Sequence, residues 1–208
     1  DQYCKWNLPI RHVVEDILNE YEGDRECADF QNFTVYAKRL FFANGIHHHY
    51  SEDKFFPECP KEYFQSLMEA VGDGEQATEL LEVIYSPDIY PQRRSTSKTG
   101  DIVELSAVNF YDGVTREEVD KYYNSMMDPN DKTPISYGLN TKVVKEDGKV
   151  VEKPWKVGGI YGPALERICA ELEKAAAVAE TDLQKEAIGK LVEYYKTGDL
   201  RTWDDFNI

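Results

Sequence analysis

The sequence predicts an α+β protein that is mostly helical, with a small antiparallel sheet or partial β-barrel in the middle. Apolar residues recur at three- and four-residue intervals near both ends of the chain, as in amphipathic helices. Between them, β-rich segments flank a tight-turn dipeptide. We therefore expect one compact unit over residues 1–208, helical over 7–90, β-rich over 101–160 with one inserted helix, and helical over 161–208.

The first ninety residues predict a series of helices. After Asn7, apolar residues are spaced to share one helical face: Ile10, Val13, Val14, Ile17, Leu18 and Tyr21. A second helix, in "DFQNFTVYAKRLFFANG", should end at Asn44-Gly45, because these residue types readily adopt the left-handed conformation that stops helices. Residues 60–85 predict further helix, split near Gly72, and "SPDIYPQRRSTSKTGD" predicts a polar loop with a mobile tip.

In the middle of the chain, the spacing of apolar residues no longer follows the helical repeat. "IVELSAVNFY" favours an extended conformation, and Thr115 with Glu118 has the spacing of a capping box that begins a helix. In "SYGLNTKVVKEDGKVVEKPWKVGGIYG", the dipeptide Asp147-Gly148 predicts a hairpin turn between two strands.

The last third returns to a helical period. Its apolar stripe consists of Leu165, Ile168, Leu172, Ala175 and Ala179. Thr181 and Gln184 predict the cap of another helix, which should end at Gly198. Thr202, followed by acidic and aromatic residues, indicates one more helix start, so we expect the chain to have been cut from a longer protein.

Charge and composition exclude several classes of function. Acidic residues outnumber basic ones 39 to 24, so the net charge of -15 repels nucleic acid and anionic membrane surfaces. The acidity could favour amine-bearing ligands, although solubility is the simpler explanation. No apolar run approaches the roughly 18 residues of a membrane span, and we expect a soluble chain, cytoplasmic or periplasmic. Four widely spaced cysteines predict buried thiols: Cys4, Cys27, Cys59 and Cys169.

Three consecutive histidines stand out in "NGIHHHYSEDKFFP". If this stretch is extended, His47 and His49 share a face and could hold a metal with Glu52 or Asp53. A closed zinc site needs about four ligands, however, and no other residues here have such spacing. We therefore favour a histidine-rich connection that packs beside a helix end.

Aromatic residues around the histidines are candidates for a peptide-binding cleft: Phe41, Phe42, Tyr50, Phe55 and Phe56. Phe41 has the spacing of a core residue, whereas Tyr50 and Phe55 lie in irregular chain. The sequence has no G-x-S-x-G elbow, and "KVGGIYGP" matches neither common phosphate-binding glycine motif. Its glycines predict a strand-to-helix turn.

Four segments, in order, resemble the dipeptidyl peptidase III family of zinc metallopeptidases, most closely its bacterial members. They are "FFANGIHHHYSEDKFFP", "NFYDGVTREEVDKYY", "TPISYGLNTKVVKEDGKVVEKPWKVGGIY" and "LVEYYKTGDL". The resemblance implies a hydrolase that releases dipeptides from the amino end of oligopeptides, in a cleft between two lobes. It also implies a helical H-E-x-x-x-H zinc motif, but no histidine in this sequence is followed by glutamate.

By this resemblance, the chain is a fragment of the lobe opposite the zinc, and Tyr50 is its substrate-binding residue. We expect no catalytic residue, no metal ligand and no cofactor in this chain, with zinc held by the full-length parent. Its partners would be the oligopeptide substrate and the catalytic lobe of the same polypeptide, and alone it should be inactive. One alternative is a stand-alone peptide-binding or protein-interaction module, and another is a metal site formed by "HHHY" itself.

Overall fold

A computed structural model describes residues 4–207 of the chain. The predicted α+β class is confirmed, with helices predominating and a small sheet in the second half. The sequence indicated one compact unit, whereas the contacts divide the chain into two, Asp1–Asn109 and Phe110–Ile208.

The first unit is helical. Its α-helices in the described part of the chain are Asn7–Glu20 (α1), Ala28–Ala43 (α2), Lys61–Ala70 (α3) and Ala77–Tyr85 (α4). The predicted break between the last two is a short 3-10 turn over Gly74–Gln76. Asn44 ends α2 in the left-handed conformation, with φ of 58°, as its sequence predicts.

The apolar faces of these helices form the core of the first unit. Phe33 of α2 packs edge-on against Phe64 of α3, with ring centroids 5.0 Å apart. The predicted face of α1 is buried at Ile10, Val13, Val14 and Ile17. This core holds both ends of the segment that contains the histidines, because Ile46 is buried within it and Phe55 packs against it.

The second unit contains a three-stranded sheet of Tyr111–Asp112 (β1), Thr141–Glu146 (β2) and Lys149–Pro154 (β3), in that order. β2 and β3 form the predicted antiparallel hairpin, and Asp147 and Gly148 both have positive φ, as a tight turn requires. β1 runs parallel to β2, so the sheet is mixed rather than wholly antiparallel.

The helices of the second unit are Arg116–Asn124 (α5), Gly162–Ala177 (α6), Asp182–Thr197 (α7) and Leu200–Phe206 (α8). Both predicted caps are confirmed. Thr115 and Glu118 form a reciprocal capping box at α5, and the Thr181 side chain accepts the Gln184 N–H at α7. The start predicted at Thr202 is wrong, because the Asp199 carboxylate caps α8 ahead of Leu200.

Residues 102–105 form a turn rather than the start of the predicted extended segment, whereas Ser106 makes an isolated parallel bridge with Gln92. The Asp101 carboxylate accepts the Val103 N–H at 2.8 Å, and the Ser106 hydroxyl donates to the Ile102 carbonyl at 2.6 Å. These local bonds satisfy backbone groups that a strand ladder would otherwise use. Tyr111, at the end of the segment, does enter β1.

Three of the four cysteines are buried, as predicted, and Cys27 is partly exposed; all four are free thiols. Across residues 4–207, no helix combines the length and the apolar character needed to cross a bilayer.

Candidate functional site

The candidate site begins where α2 ends. Gly45 donates its N–H to the Leu40 carbonyl at 3.0 Å, which closes the helix terminus. The next N–H, that of buried Ile46, donates to the Asn7 side-chain oxygen at 3.1 Å. The first residue of α1 therefore fixes the direction in which the chain leaves α2.

Residues 46–55 then fold into a tight hairpin, which we call the histidine hairpin. His47 pairs with Lys54, and Phe55 donates its N–H to the Ile46 carbonyl at 2.8 Å. At the tip, the His48 N–H donates to the Asp53 carbonyl at 2.8 Å. The uniformly extended stretch considered from the sequence is therefore wrong, because the chain turns back after His48.

His47 points into the protein. It is 3% exposed, and its Nε2 lies 2.8 Å from the Tyr90 carbonyl. A carbonyl only accepts, so Nε2 carries the hydrogen and donates it. Burial lowers the pKa of His47 and favours the neutral ring. His47 thus links the hairpin to the following loop and does not offer this nitrogen to a metal.

Lys54 holds the same loop from the opposite strand of the hairpin. Its buried Nζ donates to the carbonyls of Ser86 and Ile89, the latter at 2.7 Å, and lies 5.5 Å from the Phe56 ring centroid. Burial lowers the pKa of Lys54 to about 8. Nothing in the sequence pattern singled out this lysine.

Glu52 adds a charged connection between the hairpin and the loop. Its carboxylate accepts Arg94 Nε at 2.9 and 3.0 Å and Arg93 Nη2 at 2.9 Å. Hydrogen bonds from Arg94 and then Arg93 lower the pKa of Glu52 to about 2. Both carboxylate oxygens are therefore committed to guanidinium groups.

His48 and His49 lie together on the outer side of the hairpin. Their rings stack with centroids 4.8 Å apart and an interplanar angle of 23°. His49 also contacts the Tyr50 ring at 4.2 Å and the Phe42 ring edge-on at 5.0 Å. We call these four residues, Phe42, His48, His49 and Tyr50, the aromatic patch.

Two members of the aromatic patch are open to solvent, whereas His48 and His49 are half-buried. Tyr50 is 84% exposed and Phe42 is 79% exposed. Phe41, by contrast, packs against the core, as its spacing predicted, and Phe55 is also partly buried there. A contiguous aromatic surface on an anchored hairpin can bind apolar and aromatic groups of a ligand, and the Tyr50 hydroxyl adds a hydrogen-bonding group.

The structure does not assemble the metal set considered from the sequence. His47 faces the loop carbonyl, His49 lies in the aromatic patch, and Glu52 binds two arginines. Within the described residues, no three side chains of His, Cys, Asp or Glu converge as metal ligands. His47, His49 and Glu52 therefore do not converge on one metal ion.

Sequence reasoning located Tyr50 and the helix exit but missed the partners that hold them. Lys54, Arg93 and Arg94 had no motif, although the charges of "QRR" in a breaker-rich loop were a visible signal. Neither a scan against protein-family models nor a search of curated proteins finds a match to this chain.

Proposed function

We propose that this chain forms one wall of the peptide-binding cleft of a zinc-dependent exopeptidase that resembles dipeptidyl peptidase III. In this proposal, Tyr50 contacts the oligopeptide, and the zinc and the catalytic residues belong to a second lobe of the same polypeptide. The chain alone binds peptide without cleaving it.

The observation that carries the proposal is the presentation of Tyr50. An aromatic ring exposed over 84% of its surface sits on a hairpin that is otherwise held by buried polar contacts. Those contacts are the Asn7–Ile46 bond, the His47–Tyr90 bond and the two carbonyl bonds of Lys54. A pre-organised aromatic side chain loses little conformational entropy on binding, which suits it to contact a ligand.

The charge of the chain supports the same kind of ligand. With a net charge of -15, its field attracts the free amino terminus of an oligopeptide and repels anionic competitors. No step of zinc chemistry is assigned to the histidine hairpin, because His47 and Glu52 are committed to other partners.

Peptide binding tests the proposal directly. Oligopeptides of four to eight residues are titrated into the 208-residue chain and followed by amide chemical shifts. Tyr50→Ala should weaken binding by about tenfold or more, the loss typical of an aromatic contact residue. Tyr50→Phe separates the contribution of the ring from that of the hydroxyl.

Leu183→Ala is the matched control, because Leu183 is a similarly exposed apolar side chain, 76% exposed, at the start of α7. It should leave peptide affinity unchanged. Equal affinity of the wild-type chain and Tyr50→Ala would refute the proposed role of Tyr50.

A release assay separates the exopeptidase proposal from a stand-alone binding module. A chromogenic dipeptide substrate should yield no product with this chain alone and should be cleaved by a longer polypeptide that includes the second lobe. Cleavage by the 208-residue chain would overturn the assignment of catalysis to another lobe. Peptide binding by this chain, with no cleavage even by the complete polypeptide, would favour the module.

A further inference from the structure

His48 lies beneath the turn that carries Tyr50. Its Nδ1 accepts the backbone N–H of Tyr50 at 3.2 Å and that of Ser51 at 3.1 Å. We propose that His48 is a positioning residue, whose unprotonated Nδ1 holds the turn that presents Tyr50 to peptide. This inference rests on the proposed function of Tyr50 and adds a pH dependence to it.

His48 can hold the turn in this way only while its Nδ1 is unprotonated. A ring nitrogen accepts hydrogen bonds only through its lone pair, so the hydrogen of the neutral His48 ring resides on Nε2. Protonation at Nδ1 turns the acceptor into a donor that faces two N–H donors. The bonds from the Tyr50 and Ser51 N–H groups to Nδ1 are then lost, so the turn loses its two side-chain bonds and keeps the backbone bonds of His48 to Glu52 and Asp53.

Neighbouring rings constrain the plane of the His48 ring. One face stacks on the His49 ring at 4.8 Å, and the Phe55 ring meets it edge-on at 5.9 Å. A flip within this plane would move Nδ1 away from both N–H groups, so the same two bonds would be lost whether or not the ring flips.

The titratable groups around His48 are few in the described structure. The rings of His49 and Tyr50 face it directly. The nearby carboxylates have other partners, since Glu52 binds Arg93 and Arg94, and Asp53 accepts Gln92 Nε2 at 3.4 Å. His49 is therefore the main other group that could change the turn at low pH, and His49→Gln removes it.

Substitution by asparagine separates positioning from general stability. An asparagine side-chain oxygen accepts N–H groups two and three residues ahead, as His48 Nδ1 does here, but does not titrate. His48→Asn should keep peptide affinity within about twofold of wild type, whereas His48→Ala should lose about tenfold.

The pH dependence of peptide affinity separates a positioning role of His48 from a merely structural one, which would not depend on pH. In the wild-type chain and in His49→Gln, peptide affinity and the Tyr50 and Ser51 amide shifts should change together on acidification. The midpoint should equal that of the His48 ring, followed by NMR in the same samples. In His48→Asn combined with His49→Gln, these signals should stay constant over that range.

His12→Asn is the matched control, since His12 is exposed on α1, and it should retain the wild-type pH profile. The inference is overturned if His48→Ala leaves the Tyr50 amide shift and peptide affinity unchanged, or if His48→Asn in the His49→Gln background keeps the pH dependence of His49→Gln. Unchanged affinity of Tyr50→Ala would instead refute the proposed function, and the amide shifts would still decide whether His48 positions the turn.

Discussion

Glu52 joins two segments of the first unit that are 41 and 42 residues apart along the chain. It has a φ of 67°, an uncommon left-handed conformation for a residue other than glycine. In this backbone conformation, the Glu52 side chain pairs with Arg93 and Arg94. These ion pairs connect the hairpin tip to the loop that contains the two arginines. The Glu52 carboxylate therefore helps to fix the hairpin that carries the aromatic patch.

Glu52→Gln should destabilise the chain by about 1 to 2 kcal/mol at neutral pH, a value limited by solvent screening at the exposed Arg94. Because the arginines hold the pKa of Glu52 at about 2, below its ordinary 4.5, the stabilisation is complete above pH 4.5. It is lost as the pH falls from there through about 2. Urea denaturation of both chains across pH 2 to 7 measures this difference.

Glu58→Gln serves as the control, because Glu58 is exposed and lies 3.8 Å from Arg39. Its effect should stay within about 0.5 kcal/mol at every pH. A stability difference between wild type and Glu52→Gln that does not shrink on acidification would contradict the assigned ion pairs.

At the scale of elements, the first residue of α1 packs closely against the residues that follow α2. Asn7 is buried and accepts the Ile46 N–H. Gly45 passes so close that a Cβ there would lie 2.3 Å from the Asn7 side-chain nitrogen, and its φ of 155° also disfavours other residues. The direction of the histidine hairpin thus depends on one helix start and one glycine.

A double-mutant cycle tests this contact. Asn7→Ala should cost about 1 to 3 kcal/mol, because it leaves the Ile46 N–H buried without an acceptor. Gly45→Ala should cost a similar amount through overpacking. In the Asn7→Ala background, Gly45→Ala should cost less by about 0.5 kcal/mol or more, since the clashing amide is gone. Thermal and urea denaturation measure all four chains.

Gly189→Ala is the control for the glycine change. Gly189 lies inside α7, and a Cβ there would meet nothing within 4 Å. It should stabilise the chain by about 0.5 to 1 kcal/mol, because alanine is the better helix former. Strict additivity of Asn7→Ala and Gly45→Ala would show that the two residues do not share a contact.

At the scale of the whole molecule, the dominant feature is charge. The chain carries 15 more negative than positive charges at neutral pH, and its pI is about 4.7. Many carboxylates are nonetheless paired locally, as in the Lys145–Glu118 contact at 2.6 Å. Long-range repulsion destabilises the folded chain, whereas these pairs stabilise it, and salt weakens both.

Raising NaCl from 10 to 200 mM at pH 7 should increase the melting temperature by a few degrees, because net repulsion outweighs the mostly exposed ion pairs. The measurement is differential scanning fluorimetry. Near pH 4.7, where the net charge is close to zero, the same change in salt should have little effect. A melting temperature that falls with salt at pH 7 would mean that the ion pairs dominate.

The elements that the sequence predicted correctly depend on contacts within a few residues. The capping box of Thr115 and Glu118, the hairpin turn at Asp147 and Gly148, and the left-handed end of α2 at Asn44 all belong to this class. The extended prediction failed over residues 102–105 for a related reason, since side-chain bonds to the nearby backbone hold a turn there.

What the sequence by itself determined is therefore the helical framework, the β2–β3 hairpin and the place of Tyr50 just after a helix exit. Only the tertiary structure decided that His47 turns inward to Tyr90, that Lys54 binds loop carbonyls, and that His48 stacks on His49 beside Phe42. The physical reason is chain separation. Local bonds are encoded by neighbouring residue types, whereas the partners of His47 and Lys54 lie 32 to 43 residues away and meet only when the core has formed.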